Sequence, residues 1–365
     1  MKLGKIIDAD GHVDEMVPGA VDWGKYIEPA YKARGPRYGD PGEEHSGMYI
    51  DGEPFPKFGT KDPGIRGKQS PRMLHRERPG LWDSKVRVPH MDQDGIDLAV
   101  LYGSGIAERC SDLPDAGVGL AIARAYNNWL HDYCSYAPQR LKGAAAVALQ
   151  DIEGSVAEAN RAVTELGFVS VGVLPYCQQK TLMDPYFFPL YEELQRLDVP
   201  LGIHWLGSAE PVGQGRFHEL FFTHIFQHSF EQMLASLAII GGGVLDRFTK
   251  LRVAFLEGDS GWLPWWIDRL DGHYEKLANQ VPAKARPSEY IKGSQCYFGC
   301  EGGEHTIAYT AGVIGEDRLL FASDYWHWDG KFPGAVSEIA DRKDLKASLK
   351  RKLLGENAAR LYRLN

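Results

Sequence analysis

The 365-residue sequence has only five cysteines, an odd and widely spaced set that excludes a disulfide framework and is typical of a reducing compartment. It has no apolar run near the roughly 20 residues that cross a bilayer, and it shows no charged-then-apolar leader. Its 41 Lys and Arg residues stand against 49 Asp and Glu residues, a formal net charge of −8, and the basic residues form no cluster along the sequence. We therefore expect a cytoplasmic protein that binds neither membranes nor nucleic acids.

Two common catalytic motifs are missing as well. Gly241-Gly-Gly243 lacks the spacing and the strand-to-helix context of a phosphate-binding loop, and it predicts the end of a helix instead. No Ser-His-Asp nucleophile elbow is evident. We therefore expect any catalytic activity of this chain to depend on side chains outside these two motifs.

Short apolar runs alternate with longer segments of helical periodicity along most of the chain. This is the pattern of repeated βα units around a parallel sheet. The clearest helical segments are residues 152–166 and 185–197. The eight strand-like runs are residues 6–9, 98–102, 143–148, 170–174, 200–204, 252–256, 296–299 and 319–322. They predict an α/β fold, a (β/α)8 TIM barrel, with residues 1–365 forming one domain.

The stretch from about residue 31 to residue 89 interrupts this alternation. It is rich in glycine, proline and charge, and it shows no sustained helical period. Residues 48–56 predict a hairpin that turns at Asp51-Gly52, because Asp-Gly accommodates the positive φ angles of tight turns. We predict an inserted loop and hairpin region after the first strand, used as a lid or as a subunit contact.

Residues able to bind a metal lie at the ends of several predicted strands. Asp10 and His12 follow the first strand, His204 ends the fifth and Asp324 follows the eighth. Residues i and i+2 of a strand point to the same face, and the carboxyl ends of barrel strands meet at one rim. These four donors predict a site for Zn²⁺, Mn²⁺ or Fe²⁺.

Two further donors leave the number of metal ions open. His224 and His228 are four residues apart on a predicted helix, a spacing shared by metal sites and packed cores. Glu257 follows the sixth strand as a ligand or as a general acid or base. With His228 and Glu257 the donors number six, which are many for one catalytic cation and suit two ions roughly 3.5 to 4 Å apart.

Three more residues stand close to these donors in the sequence. His327, three residues after Asp324, fits a proton shuttle or a group that supports the ligands. Trp205 and Trp326 adjoin His204 and Asp324, and they predict walls of an apolar or aromatic substrate pocket.

These motifs together resemble the decarboxylase-like branch of the amidohydrolase superfamily, which includes aminocarboxymuconate-semialdehyde and resorcylate decarboxylases. The resemblance spans nearly the whole chain and rests on Asp10-Gly-His12 and on residues 90–97, 184–191, 200–204, 261–264, 321–325 and 355–359. It implies that Asp10, His12, His204 and Asp324 are metal ligands. It also implies the metal-dependent barrel of that superfamily.

Two positions depart from the pattern of this branch. The family usually has His-x-His or Glu-x-His where this chain has Asp10 and His12, and an aspartate there still offers a carboxylate. Relatives that decarboxylate typically carry a histidine after the sixth strand, where this chain has Glu257. His228 fits the family pattern better than His224 does.

The leading hypothesis is a metal-dependent enzyme that hydrolyses or decarboxylates a small, aromatic or other organic acid or amide. Asp324, Glu257 or His228 would move the proton, and one or two divalent ions would activate water or polarise a carboxylate. An alternative is a dinuclear non-haem iron or mixed-metal oxygenase, since a carboxylate-rich site also suits iron. A second alternative is a non-catalytic barrel subunit. The resemblance and the insertion imply a homodimer or a hetero-oligomer with a homologous barrel subunit.

Overall fold

The chain forms a barrel of eight parallel strands. The computed structural model describes residues 3–39, 48–55, 77–204, 212–213, 216–217, 219–325 and 327–364. Neighbouring strands of the sheet are consecutive in sequence. They are β1 (Ile7–Val13), β2 (Leu98–Gly103), β3 (Leu141–Ala146), β4 (Ser170–Val173), β5 (Leu201–Ile203), β6 (Val253–Phe255), β7 (Cys296–Cys300) and β8 (Leu319–Phe321). This confirms the predicted TIM barrel, whose strands all end at one rim.

Helices connect the strands and cover the outside of the barrel. Several begin at an aspartate, such as Asp115 and Asp151, whose carboxylate accepts a backbone N–H of the first turn. The α-helices are Trp23–Tyr26, Ser84–Asp94, Ile106–Arg109, Ala116–Cys134, Ile152–Thr164, Phe188–Leu197, Leu220–Gly241, Val244–Arg247, Leu263–Leu277, Pro287–Lys292, Ile307–Ile314, Ala335–Ala340, Ala347–Arg351 and Asn357–Tyr362. Short 3₁₀ helices are Pro29–Tyr31, Pro79–Leu81, Cys110–Asp112, Pro185–Phe187 and Ala278–Gln280, and Lys352–Glu356 is a π-helix.

Each predicted strand overlaps an observed one, and β1 differs most from its prediction. It continues through Asp10 and His12 to Val13, because Gly11 and His12 still pair with β2 after a shift of register. The predicted helix 185–197 divides into the 3₁₀ turn Pro185–Phe187 and the α-helix Phe188–Leu197, since Pro185 and Pro189 each lack a backbone N–H.

Apolar side chains fill the barrel, and the last helix closes its amino-terminal end. The Tyr362 hydroxyl donates to the carbonyl oxygen of Ala9 at 2.8 Å and lies 3.1 Å from the Tyr102 hydroxyl. Arg252, just before β6, donates to the Leu361 carbonyl oxygen at 2.8 Å. The interior cluster also contains Ile7, Leu98, Val100, Ala144, Ala254, Leu256, Tyr297 and Leu320.

A buried carboxylate joins the first strand to the last. Asp8 Oδ1 accepts the backbone N–H of Ser323 at 3.0 Å, and Oδ2 accepts the Ser323 hydroxyl at 2.5 Å. The N–H of His12 donates to the carbonyl oxygen of Tyr325 at 3.1 Å. These bonds close the seam between β1 and the segment that follows β8.

A buried arginine lies behind the same seam. Arg87 donates from Nη1 to the His12 carbonyl oxygen at 2.9 Å, and its guanidinium lies 3.7 Å from the centre of the Tyr325 ring. Gly11 makes room for it, because a Cβ atom there would lie 2.7 Å from Arg87 Nη2 and 2.8 Å from Asp8 Oδ2. The glycine between Asp10 and His12 is therefore required by close packing.

The described part of the insertion contains a small antiparallel sheet. Its strands are Arg37–Tyr38, Met48–Ile50 and Glu53–Phe55. The hairpin turns at Asp51 and Gly52, with φ angles of 55° and 81°, as predicted. The predicted insertion ends too late, since helix Ser84–Asp94 already begins before residue 89.

No helix in the described ranges combines the length and the apolar character that a bilayer crossing requires.

Glu15 predicts a pH dependence of folding stability. Its carboxylate accepts the backbone N–H groups of Ala107 and Ser104, but burial, aided by Asp14, raises its pKa to about 7. The folded chain then binds a proton more tightly than the unfolded chain, so the free energy of unfolding falls as pH rises from about 4.5 to 7. We expect Glu15→Gln to remove about 1–3 kcal/mol of this pH-dependent change.

Urea denaturation of both proteins between pH 4.5 and 8 measures this difference. Glu165→Gln, at an exposed position, is the control for the isosteric exchange. Parallel pH profiles of Glu15→Gln and the unmodified chain would contradict the assignment.

Candidate metal centre

The predicted metal-binding residues lie together at the carboxyl rim of the barrel. Asp10 and His12 belong to β1 itself, His204 follows β5, Glu257 follows β6 and Asp324 follows β8. They come from four different strands, and each is positioned where its strand reaches the rim. The structure therefore brings together the residues that the strand-end pattern selects.

The donor atoms approach one another closely. His204 Nε2 lies 3.0 Å from Asp10 Oδ1, and His12 Nε2 lies 3.9 Å from that same oxygen. His12 Nε2 also lies 3.1 Å from Asp324 Oδ1. The His204 ring stacks on Tyr102 of β2, with centroids 4.9 Å apart and planes 7° from parallel. Packing thus fixes the orientation of the His204 imidazole.

The donors form two groups that share one residue. Asp10, His12 and His204 make the first, and His12, Glu257, Asp324 and His327 make the second. Within each group the ligand atoms lie within 4.8 Å of one another. The number of ions, one or two, stays a prediction.

Two buried atoms show that these residues fit a cation. His12 is 1% exposed and Asp324 is 6% exposed, and neither His12 Nε2 nor Asp324 Oδ1 makes a hydrogen bond within the described residues. Buried polar atoms normally have a partner, because desolvation without one costs about 1–3 kcal/mol. A divalent metal would satisfy both atoms, and nitrogen and carboxylate donors suit manganese, iron and zinc.

The protonation states favour metal binding at His12 and Asp324. Burial, reinforced by His327, lowers the pKa of His12 to about 4, so its imidazole is neutral near pH 7. Burial opposes ionisation of Asp324, but His327 and His12 hold its pKa well below the usual value. A neutral imidazole and an ionised carboxylate are the forms that bind metals.

His327, predicted as a proton shuttle or a supporting group, lies in direct contact with the metal donors. Its Nδ1 lies 3.0 Å from Asp324 Oδ1 and 3.7 Å from Glu257 Oε1, and its ring stacks on His12 with centroids 4.0 Å apart. Burial would lower its pKa, but the Asp324 carboxylate raises that pKa to about 10. Near pH 7 this imidazole is therefore protonated beside Asp324, and it would bind a metal only by losing that proton. Its place in the second donor group makes His327 a candidate ligand in addition to the six predicted ones.

Glu257 and His228 face each other beside these donors. Glu257 Oε2 lies 3.8 Å from His228 Nε2 and 3.8 Å from His204 Nδ1. Burial, with the nearby His224, holds the pKa of His228 well below its ordinary value. His228 belongs to neither donor group, so its role as a ligand stays a prediction. A neutral imidazole beside a carboxylate is an arrangement that suits proton transfer.

Three acidic residues of this rim have unusual backbone conformations. The φ angles are 52° at Glu257, 55° at Asp259 and 48° at Asp324. Residues with a Cβ atom adopt this left-handed region at a cost of about 1–2 kcal/mol. Such strain persists where the surrounding structure fixes it, and it is concentrated at functional sites.

A cavity of about 420 Å³ opens beside the donors. Glu257, Asp324, His228 and His327 line it, together with the acidic residues Asp259, Glu301, Glu304 and Asp329. Burial and the proximity of Asp259 raise the pKa of Glu304 to about 8. Sequence reasoning missed these four acids, although Glu301 directly follows β7 and Glu304 lies in the same loop, where the strand-end rule would have found them.

The remaining predicted residues and the larger cavity of the structure do not belong to the group of metal donors. Trp205 and Trp326 are outside the described residues. His224 lies 3.5 Å from Asp329, and its ring meets His228 edge-on, so it contacts the cavity rather than the donors. A larger cavity of about 820 Å³, lined by Met183, Leu234 and others, contains none of the metal donors.

Comparison with known proteins identifies the family. The amidohydrolase family model matches residues 7–364. The chain belongs to the amidohydrolase family. This confirms the resemblance that the motifs carry, and it agrees with the barrel and with the rim position of the donors.

Three relatives of this amidohydrolase are decarboxylases. It is 28% identical over 281 residues to 2-amino-3-carboxymuconate-6-semialdehyde decarboxylase from Dictyostelium discoideum, and this match covers 76% of each chain. It is 26% identical over 298 residues to gamma-resorcylate decarboxylase from Rhodococcus jostii, covering 77% of this chain and 87% of that one. The structure of 5-carboxyvanillate decarboxylase from Novosphingobium aromaticivorans, a D-to-N variant with bound manganese, matches with a TM-score of 0.73 at 23% identity and covers 100% and 98% of the two chains.

These findings confirm an enzyme of the amidohydrolase family, and its donor cluster could hold a divalent metal. The individual role of each predicted site residue stays a prediction. These residues are Asp10, His12, His204, His228, Glu257 and Asp324.

Loss of a central ligand should remove the metal but leave the barrel folded. We expect Asp324→Asn and His204→Ala each to weaken metal affinity by at least about 10–100-fold, the effect of losing even an outer-sphere partner. Metal content by mass spectrometry, with circular dichroism for folding, measures this outcome. Asp341→Asn, at an exposed position, is the control. Full metal content in either site variant would contradict its role as a ligand.

Proposed function

We propose that this amidohydrolase catalyses the non-oxidative decarboxylation of a small aromatic acid. The observation that carries the proposal is the cluster of buried metal donors at the edge of a 420 Å³ cavity. The three named relatives support it, since each is a decarboxylase and one was crystallised with manganese. A cavity of this size lies within the usual range for small-molecule sites.

In the proposed reaction the bond between the ring carbon and the carboxylate breaks. Carbon dioxide leaves, and the ring carbon takes a proton in its place. A divalent cation held by Asp10, His12, His204 and Asp324 supplies Lewis-acid polarisation of the substrate oxygens when bound. The remaining task for this chain is to hold the ring and to deliver one proton.

Glu257 and His228 are the residues we assign to proton transfer. Glu257 faces both the donors and His228, so it can exchange a proton with the imidazole and with a ring bound in the cavity. Glu257 stands where relatives that decarboxylate typically carry a histidine after the sixth strand, and we assign the corresponding role to it.

A second candidate is a dinuclear iron oxygenase on the same barrel. The observation that favours it is the division of the donors into two groups that share His12, with carboxylates from Asp10, Glu257 and Asp324 among them. Carboxylate-rich sites suit iron as well as manganese. This candidate requires O₂ and two metal ions, and decarboxylation requires neither.

An anaerobic assay separates these functions. We expect the manganese-loaded enzyme to release CO₂ from a hydroxybenzoic acid of a test panel under nitrogen, in a one-to-one ratio with the decarboxylated ring. Headspace mass spectrometry and chromatography measure both products. A hydroxylated product that forms only with O₂, from protein holding two irons, would reject decarboxylation.

Glu257→Gln tests the assignment of proton transfer. We expect kcat to fall by about 10²–10⁴-fold with the metal content unchanged, because the amide cannot transfer the proton. Glu165→Gln is the matched control. A loss of metal in Glu257→Gln would show instead that Glu257 is a ligand.

We propose further that the enzyme is a cytoplasmic homodimer. The five cysteines are all free and buried, as expected in a reducing compartment. Helix Leu220–Gly241 exposes Phe221, Ile225, Phe230 and Leu234, and a group of exposed apolar side chains on one helix favours a subunit contact.

Light scattering coupled to size exclusion should give twice the chain mass of 40.7 kDa. Phe230→Ser together with Leu234→Ser should shift the protein toward the monomer. A monomer in the unmodified protein would reject the homodimer.

A further inference from the structure

Ser104, directly after β2, contacts two imidazoles of the metal centre. Its Oγ lies 3.0 Å from His327 Nε2 and 3.4 Å from His12 Nδ1. The opposite nitrogens of the two rings, His327 Nδ1 and His12 Nε2, face Asp324 Oδ1 at 3.0 Å and 3.1 Å. One hydroxyl thus touches the outer side of both rings.

The hydrogen-bonding capacity of a serine limits what this contact can be. A hydroxyl has one donor and two acceptor lone pairs. A neutral imidazole carries one N–H, and the other nitrogen is then the lone pair that can bind a metal. If both rings donate to Ser104 Oγ, then both inner nitrogens present lone pairs toward Asp324 and Glu257.

The loop that carries Ser104 is itself held in place. The buried carboxylate of Glu15 accepts the backbone N–H of Ser104 at 3.2 Å and that of Ala107 at 2.9 Å. Glu15 lies just beyond β1, so the strand that carries His12 also fixes the position of Ser104. These bonds hold the backbone of Ser104 next to the two imidazole rings.

We propose that Ser104 is a positioning residue that accepts N–H bonds from both His12 Nδ1 and His327 Nε2. It thereby sets the tautomers in which His12 Nε2 and His327 Nδ1 are metal-binding atoms. This makes His327 a ligand in addition to the predicted set. The inference rests on the metal site of the proposed function but not on the reaction, because it concerns binding of the ion alone.

Removal of the hydroxyl should weaken metal binding. In Ser104→Ala both N–H groups lose their acceptor, and we expect the affinity for Mn²⁺ to fall by about 10–100-fold, as for other outer-sphere partners. Ser104→Thr keeps the oxygen and should restore most of the affinity. Ser135→Ala, an exposed serine that donates to a helix carbonyl, is the control and should bind Mn²⁺ like the unmodified chain. Isothermal titration of metal-depleted protein measures all four without substrate.

The tautomers can be read in the unmodified protein. Histidine-labelled, zinc-loaded protein should show by ¹⁵N NMR that His12 carries its proton on Nδ1 and His327 on Nε2, with His327→Gln used for assignment. A proton on His12 Nε2 or His327 Nδ1 overturns the proposal, and so does Ser104→Ala that binds Mn²⁺ with unchanged affinity. The NMR result decides even if Ser104→Ala fails to fold. A positive result together with an absent decarboxylase activity would leave this inference standing and reject the proposed function alone.

Discussion

The closure of the barrel between its first and last strands is the constraint on which the metal centre depends. Asp8 forms this closure by accepting two hydrogen bonds from Ser323, the residue before Asp324. Burial raises the pKa of Asp8 to about 6, and Arg87 and the two Ser323 bonds oppose that rise. Because Asp8 stands two residues before Asp10, one set of bonds fixes both the β1 donors and the β8 donor.

Packing around the seam extends this control to the side chains themselves. Arg87 holds the backbone of His12, Tyr102 supports the ring of His204, and Ser104 contacts the outer edges of His12 and His327. Each contact comes from an element other than the one that carries the donor. The centre is therefore organised before a cation binds, which reduces the cost of ordering on binding.

The sequence predicts the barrel and much of the site, because both depend on regular patterns. Apolar runs of strand length locate all eight strands, and the rule that strands end at one rim brings Asp10, His204 and Asp324 together. The same patterns do not place Ser104, since serine after a strand has many ordinary uses.

Other features depend on packing that no local pattern records. The register shift in β1 keeps His12 in the strand, and the loop after β8 turns His327 back onto Asp324. The acids Glu301 and Glu304 follow the strand-end rule and were accessible to it, whereas Asp329 reaches the cavity through the loop after β8.

The left-handed backbone at Glu257, Asp259 and Asp324 has an evolutionary consequence. A glycine at any of these positions would relax the torsional penalty, so selection for thermal robustness alone would favour replacing the acid. At these three positions of the rim, selection for stability therefore favours glycine, whereas selection for the carboxylates favours the acidic residue. A thermostable descendant with glycines there would be expected to have abandoned the chemistry.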